Sequence, residues 1–315
     1  MKIVNPFAWL MSLVVGCAGA NALDADRTHD PSAKHDPSSL PGRDSSDDQG
    51  TAAFAVKVTG AGPPVIFIPG LASAGEVWDG VVADLHEAHT CHVLTLAGFA
   101  GVPPIAAPML QQVRDALARY IVDRQLERPT VVGHSLGGFL ALDLAATHPD
   151  LVGPLLIVDA LPFLPAATDP QATPESVRPQ AEAFSRRLAS TPTAELEATE
   201  RQVLATMIRD ADKIELALGW FMRSDMTATG ESVLEMMTTD LRPALAAIQS
   251  PVRVIGTWIG NAPYASREQT EAQFTLQYAT VPHIGIVMSD DARHFVMFDD
   301  LPFLLRQIHE VLGQP

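Results

Sequence analysis

The residues with most to offer chemically stand at 130–147, Thr-Val-Val-Gly-His-Ser-Leu-Gly-Gly-Phe-Leu-Ala-Leu-Asp-Leu-Ala-Ala-Thr. A short β-branched run stops at Gly133, a serine follows at 135, and an alanine- and leucine-rich segment begins at once. This is G-x-S-x-G between a strand and a helix, the context in which that spacing makes a nucleophile. The turn needs small flanks, which Gly133 and Gly137 supply, and it pushes the Ser135 hydroxyl clear of the sheet. The next N–H, on Leu136, then points at an anion site beside a helix N-terminus. The chemistry implied is attack of the serine on a carbonyl, given a base to take its proton and a carboxylate to orient that base. The bland alternative, a glycine-rich turn with an incidental serine, conflicts with the agreement of strand, turn and helix.

The elements that must hold such a site alternate along the chain. Phe54–Thr59 alternates as a strand, and Val65–Ile68 is an all-apolar run of the kind found in parallel strands buried on both faces. A loop over Pro69–Gly75 precedes a helix from Glu76 to His86. A strand over Cys91–Leu96 and an amphipathic helix over Met109–Arg124 follow. After the serine turn come strands Leu155–Asp159, Val252–Thr257 and Ile284–Met288, with helices near Arg267–Tyr278 and Pro302–Leu312. This alternation predicts an α/β fold with a doubly wound, mainly parallel sheet. Between Leu161 and Leu241 the pattern is helical only, as in Glu175–Ala189, Ala194–Ile208 and Asp212–Met222. An all-helical cap over residues 161–241 is expected, inserted into a core of 51–160 and 242–315.

The amino terminus reads differently. Phe7 to Gly16 is apolar but too short to span a bilayer, and small residues follow, as in a secretory signal over 1–22. Ala18-Gly19-Ala20 and Ala20-Asn21-Ala22 are suitable cleavage sites, while Val14-Val15-Gly16-Cys17 is similar to a bacterial lipobox that would lipidate Cys17. Residues 23–50 carry almost nothing apolar and are expected to be a disordered linker. The chain is therefore expected to be exported, periplasmic or secreted, with a lipid at Cys17 as its one route to a membrane. The net charge is −16 over 315 residues. Lys2 adds one positive charge to the signal and residues 23–50 hold seven Asp against two Arg and one Lys, leaving −13 for the remainder. That balance argues against nucleic acid and anionic membrane surfaces as partners. Cys17 and Cys91 are the two cysteines, so an intramolecular disulfide is not expected.

With Ser135 placed, residues 54–312 resemble the α/β-hydrolase family. Ile66-Phe67-Ile68-Pro69-Gly70-Leu71, followed by Trp78, resembles the family's oxyanion loop, with proline where histidine is usual. Gly-His-Ser-Leu-Gly-Gly is the second matching block. Asp291-Ala292-Arg293-His294-Phe295, after the last strand, is the third. The resemblance implies Ser135 as nucleophile, His294 as base, and the Leu71 and Leu136 N–H groups as the oxyanion hole. His134 would be a neighbour of the site and His283 comes too early. His86, His89, Cys91 and His92 invite a metal reading, but they cross a helix end, a turn and a strand start, so neither metal nor cofactor is expected.

The acid is less plain. The loop after Thr257, where most relatives keep an aspartate, has no carboxylate before Glu268. Asp159, ending an apolar strand, occupies the position a minority of the fold uses; Glu268, Asp290 and Asp291 are the alternatives. In the cap, Met207, Met222, Met226, Met236 and Met237, with Trp220 and Phe221, read either as core packing or as an adaptable apolar roof. Phe163 and Leu164 are expected as pocket walls. The expectation is a serine hydrolase acting on a small to medium apolar carboxylic ester. Lactonase, amidase, C–C hydrolase and perhydrolase chemistry, or a non-catalytic binding protein on the same fold, are the alternatives.

Overall fold

The computed structural model describes residues 52–313. The signal segment, Cys17 and the linker lie outside them. Seven strands, β1 (Phe54–Thr59), β2 (Pro64–Ile68), β3 (Thr90–Leu96), β4 (Thr130–His134), β5 (Leu155–Val158), β6 (Val252–Thr257) and β7 (Ile284–Ser289), form one sheet in the order β1-β3-β2-β4-β5-β6-β7. β1 runs antiparallel to β3 and every other pair is parallel. The central strands β4 and β5 are buried along their whole length, which is why their sequences are runs of Val, Leu and Ile without alternation.

The helices are α1 (Asp79–Leu85), α2 (Met109–Asp123), α3 (Leu136–Thr147), α4 (Pro174–Ser190), α5 (Thr193–Met207), α6 (Ala211–Met222), α7 (Met226–Met237), α8 (Arg267–Gln277), α9 (Val296–Asp299) and α10 (Leu301–Val311). Successive strand residues divide between two cores, as the two-residue period of a strand demands. Ile66, Ile68, Val131, Leu155 and Ile157 pack with α2, α3 and Phe274 of α8. Val65, Phe67, Val132, Leu156 and Val158 pack with Val81 and Leu85 of α1 and with Leu304 and Ile308 of α10. The doubly wound sheet expected from the sequence is present. α1 links β2 to β3 and α2 links β3 to β4 on opposite faces of the sheet, so the strand order reverses between β2 and β4. The carboxyl ends of these two strands therefore open onto a crevice, the place where such sheets bind ligands.

Between β5 and β6 the chain forms a 3-10 turn (Leu164–Ala167) and helices α4 to α7. Ala181, Phe184 and Leu188 of α4 join Phe221, Val233 and Met237 in a small core of their own, which also takes in Ala72 from the loop after β2. The helical layer is thus seated over the strand ends. Two local details depart from the sequence reading. The helix from Glu76 opens as a 3-10 turn, Gly75–Trp78, before α1. β5 ends at Val158, and Asp159 adopts φ +48° while its N–H still donates to Ile255 O at 2.8 Å. The strand pairing runs one residue further than the strand conformation, and the turn swings the Asp159 side chain towards the end of β6.

Candidate active site

The turn between β4 and α3 holds Ser135 at φ 52°, ψ −119°. That region of backbone space costs a non-glycine residue on the order of 1–3 kcal/mol and persists only where its surroundings hold it. Here Ser135 N–H donates to Val158 O at 2.9 Å and its carbonyl accepts from Phe139 N–H at 3.0 Å. A Cβ on Gly133 would lie 2.3 Å from Gly137 O, and one on Gly137 would lie 2.2 Å from Ile68 O. Neither position admits a side chain, which is the physical reason for the glycines flanking the serine.

His294 follows β7 and precedes α9. Its Nδ1 lies 2.6 Å from Asp159 Oδ2, and the two side chains are 8% and 7% exposed. Asp159 is held from a second side as well. Its Oδ1 accepts from Thr257 N–H at 2.9 Å and its Oδ2 from Thr257 Oγ1–H at 2.7 Å. A proton on His294 Nδ1 completes the set, leaving Nε2 as the ring's basic atom. The carboxylates weighed against Asp159 are engaged elsewhere or exposed. Glu268 is exposed and accepts from Ser266 Oγ–H, and Asp290 is taken up by Trp258 Nε1–H and Arg267 Nε–H. Asp291 is exposed.

His134 braces this arrangement. Its ring packs 4.5 Å from the His294 ring and 4.8 Å from Phe295, centre to centre, and its Nε2 lies 3.1 Å from His294 O. Burial, and then the nearness of His294, hold its pKa well below the ordinary histidine value, so it stays neutral and can donate from Nε2 to that carbonyl. Arg293 ties the same loop to the helical layer, its Nη1 donating to Ala205 O and Ile208 O at 2.6 and 3.0 Å. The N–H of Phe295 reaches Met207 O at 3.2 Å.

Ser135 and His294 face one cavity of about 70 Å³. Leu71 and Leu136, the sources of the two candidate oxyanion N–H groups, line it as well. Leu136 opens α3, so helix geometry leaves its N–H without an intrahelical partner. The helical layer contributes Phe184, Leu188, Val203, Leu204, Met207 and Phe221 to the walls. The arrangement can activate a serine hydroxyl, direct it at a carbonyl held in an apolar chamber, and offer donors to the oxygen that gains charge.

Phe163 and Leu164, expected as walls, are not among the residues lining the cavity. Phe163 is fully buried in a separate cluster with Ala166 and Ala172, beneath the Arg242 guanidinium, and Leu164 packs between the sheet core and the helical core. Of the residues read as roof or packing, Met207, Met236 and Phe221 reach the cavity, while Met237 is in the helical core and Trp220 packs towards Phe298. His92 is hydrogen-bonded to Tyr120 through Nδ1, and His86 Nδ1 lies 3.1 Å from Val82 O, so these rings look in different directions. Burial pushes the Cys91 thiol up to about 11, leaving it unreactive.

Two participants were not singled out from the sequence. Thr257 looks like an ordinary strand residue until Asp159 is seen against it. Glu200 lines the cavity from α5 and is 8% exposed. Its signal was present: Glu200, Val203, Leu204 and Met207 fall on one helical face, and a carboxylate within an apolar stripe is out of place there.

Comparison with known proteins follows the same lines. The chain is 29% identical over 248 residues to the pimeloyl-[acyl-carrier protein] methyl ester esterase of Nitrosomonas europaea, covering 74% of this chain and 92% of that protein. The enol-lactonase of Burkholderia xenovorans superposes with a TM-score of 0.68 at 17% identity, covering 84% of this chain and 99% of the other. A thermophilic esterase from Thermogutta terrifontis superposes equally, TM-score 0.68 at 18% identity, over 82% of this chain and 93% of that one. The model of the Alpha/beta hydrolase family matches residues 65–304, and with the sheet order and the strained serine turn already described, the chain belongs to that family.

Proposed function

We propose that the protein is an exported serine esterase that cleaves a small carboxylic ester through an acyl-enzyme. The observation that carries this reading is that Ser135 and His294 face one cavity, with His294 Nδ1 2.6 Å from the Asp159 carboxylate behind it. Ser135 attacks the ester carbonyl as His294 Nε2 takes its proton, and the Asp159 carboxylate holds the ring and offsets the charge it gains. Leu71 and Leu136 N–H receive the oxyanion. His294 returns the proton to the leaving alcohol, and water attacks the acyl-enzyme by the same route. The likeness to a methyl ester esterase over most of both chains supports an ester with a small leaving group.

Cavity size supports a short substrate. At about 70 Å³ the chamber is roughly half the size of an apolar cavity of about 150 Å³ that takes up a benzene ring, which favours a short acyl group over a long one. Steady-state rates on p-nitrophenyl acetate, butyrate and octanoate test the reading, with butyrate expected to exceed octanoate. Ser135→Ala is expected to lose several orders of magnitude in kcat and all labelling by a fluorophosphonate, with the fold retained. Full turnover by purified Ser135→Ala would overturn the proposal, and a wild-type protein that neither labels nor turns over ester would favour a binding protein.

A further inference from the structure

The mechanism above makes no use of Glu200, although it lines the catalytic cavity. Among the described residues its Oε2 is buried without a hydrogen-bond partner. The other side chains that α5 and α6 bring to the cavity, Val203, Leu204, Met207, Ala217 and Phe221, are apolar. Burial raises the Glu200 pKa from 4.5 to about 7. A buried polar atom left unpaired is costly, and native proteins keep few of them. A purely structural account of position 200 leaves that cost without a return, since an apolar residue of similar size would pack α5 against the cavity without it. A group whose partner arrives with the ligand removes the difficulty.

We propose that Glu200 is a specificity-determining residue that accepts a hydrogen bond from the substrate, so that the preferred ester carries a donor group, hydroxyl or ammonium, a few atoms from its carbonyl. This rests on the esterase reading and narrows it, from an apolar ester to a short one with a polar substituent. An ester without a donor leaves the carboxyl group unpaired in the complex, and sites of that kind discriminate strongly against the analogue that lacks the group.

The test compares kcat/KM for methyl butyrate, methyl 3-hydroxybutyrate and methyl 4-aminobutyrate by methanol release, in wild type, Glu200→Gln and Glu200→Leu, with fluorophosphonate labelling of Ser135 run alongside. Wild type is expected to favour at least one donor-bearing ester over butyrate by about 10-fold or more. Glu200→Leu is expected to bring that ratio to within about threefold of unity. Glu200→Gln keeps an acceptor oxygen but no charge, so it keeps a preference for the hydroxy ester and loses one for the amino ester, which tells the two donors apart. Labelled Ser135 with a ratio that Glu200→Leu leaves unchanged overturns this inference and spares the esterase reading. The same holds if wild type turns over butyrate at least as well as both donor-bearing esters. Failure of wild type to hydrolyse any of the three and to label at Ser135 overturns both.

Discussion

Replacing Asp159 by Asn changes one atom's hydrogen-bonding sense in a place where the surroundings dictate which way the amide must lie. In the native arrangement Oδ1 accepts from Thr257 N–H at 2.9 Å and Oδ2 accepts from Thr257 Oγ1–H and faces His294 Nδ1 at 2.6 Å. An asparagine that keeps its oxygen on Thr257 N–H turns its NH2 to His294. The amide then donates to Nδ1, the ring proton moves to Nε2, and the base is lost. The flipped amide would restore the tautomer only by setting NH2 against the Thr257 N–H, two donors in a buried place, at a cost of about 1–3 kcal/mol. The inactive orientation is therefore favoured by roughly one to two powers of ten. The Thr257 hydroxyl can accept from the NH2, so the fold loses little. The expected result is a fall in kcat of about 10²–10⁴ with the melting temperature within a few degrees of wild type, the wrong tautomer supplying one to two powers of ten and loss of the carboxylate charge beside the imidazolium the rest. Glu268→Gln, on an exposed side chain, serves as the control and is expected to be nearly silent. Measured on p-nitrophenyl butyrate with a thermal melt on each variant, retention of a tenth or more of wild-type kcat by Asp159→Asn would refute the assignment. A drop in melting temperature with turnover per folded molecule unchanged would make Asp159 a structural brace only.

Three further outcomes are expected, two from contacts in the fold and one from the amino-terminal sequence. Glu200 is raised from 4.5 in the unfolded chain to about 7, so its contribution to stability is fully present below pH 4.5 and is lost as the pH rises to about 7, on the order of 3 kcal/mol. His134 and His294 are the other titratable groups lining that cavity, and both are kept by Glu200→Gln, which is expected to melt roughly 5–10 °C above wild type at pH 8 and level with it near pH 4.5; equal melting at pH 8 would contradict this. Arg293→Ala removes the hydrogen bonds to Ala205 O and Ile208 O that couple the His294 loop to α5, so kcat is expected to fall more than about 10-fold with Ser135 still labelled by fluorophosphonate, and unchanged kcat would show that the loop holds itself. Export predicts a mature chain from a bacterial host that begins at a lipidated Cys17, at Asn21 or at Leu23 by intact mass, and an unprocessed Met1 in fractionated cells would count against it.

How much of this was legible beforehand depends on the range of the interactions involved. Strand and helix identities, the serine turn and the family follow from patterns a few residues long: apolar runs for β4 and β5, glycines at 133 and 137 on either side of the serine, and an amphipathic α2. Such features are written locally, because backbone sterics and side-chain periodicity act between near neighbours in the chain. Pairings between distant residues are not written that way. Asp159 lies 98 residues from Thr257 and 135 from His294, and although the sequence favoured it, the carboxylates at 268, 290 and 291 stayed open as alternatives until the sheet set β5 beside β6 and turned Asp159 out at φ +48°. Phe163 follows Asp159 closely and was expected at the cavity, yet packing against Ala166 and Ala172 carries it away. Glu200 could be seen as an odd residue on an apolar helical stripe, but only the seating of α5 over the strand ends made it line the same chamber as Ser135. The chain itself determined which groups were available for chemistry. Which of them meet was decided by long-range packing, where burial and close contact are properties of the whole fold.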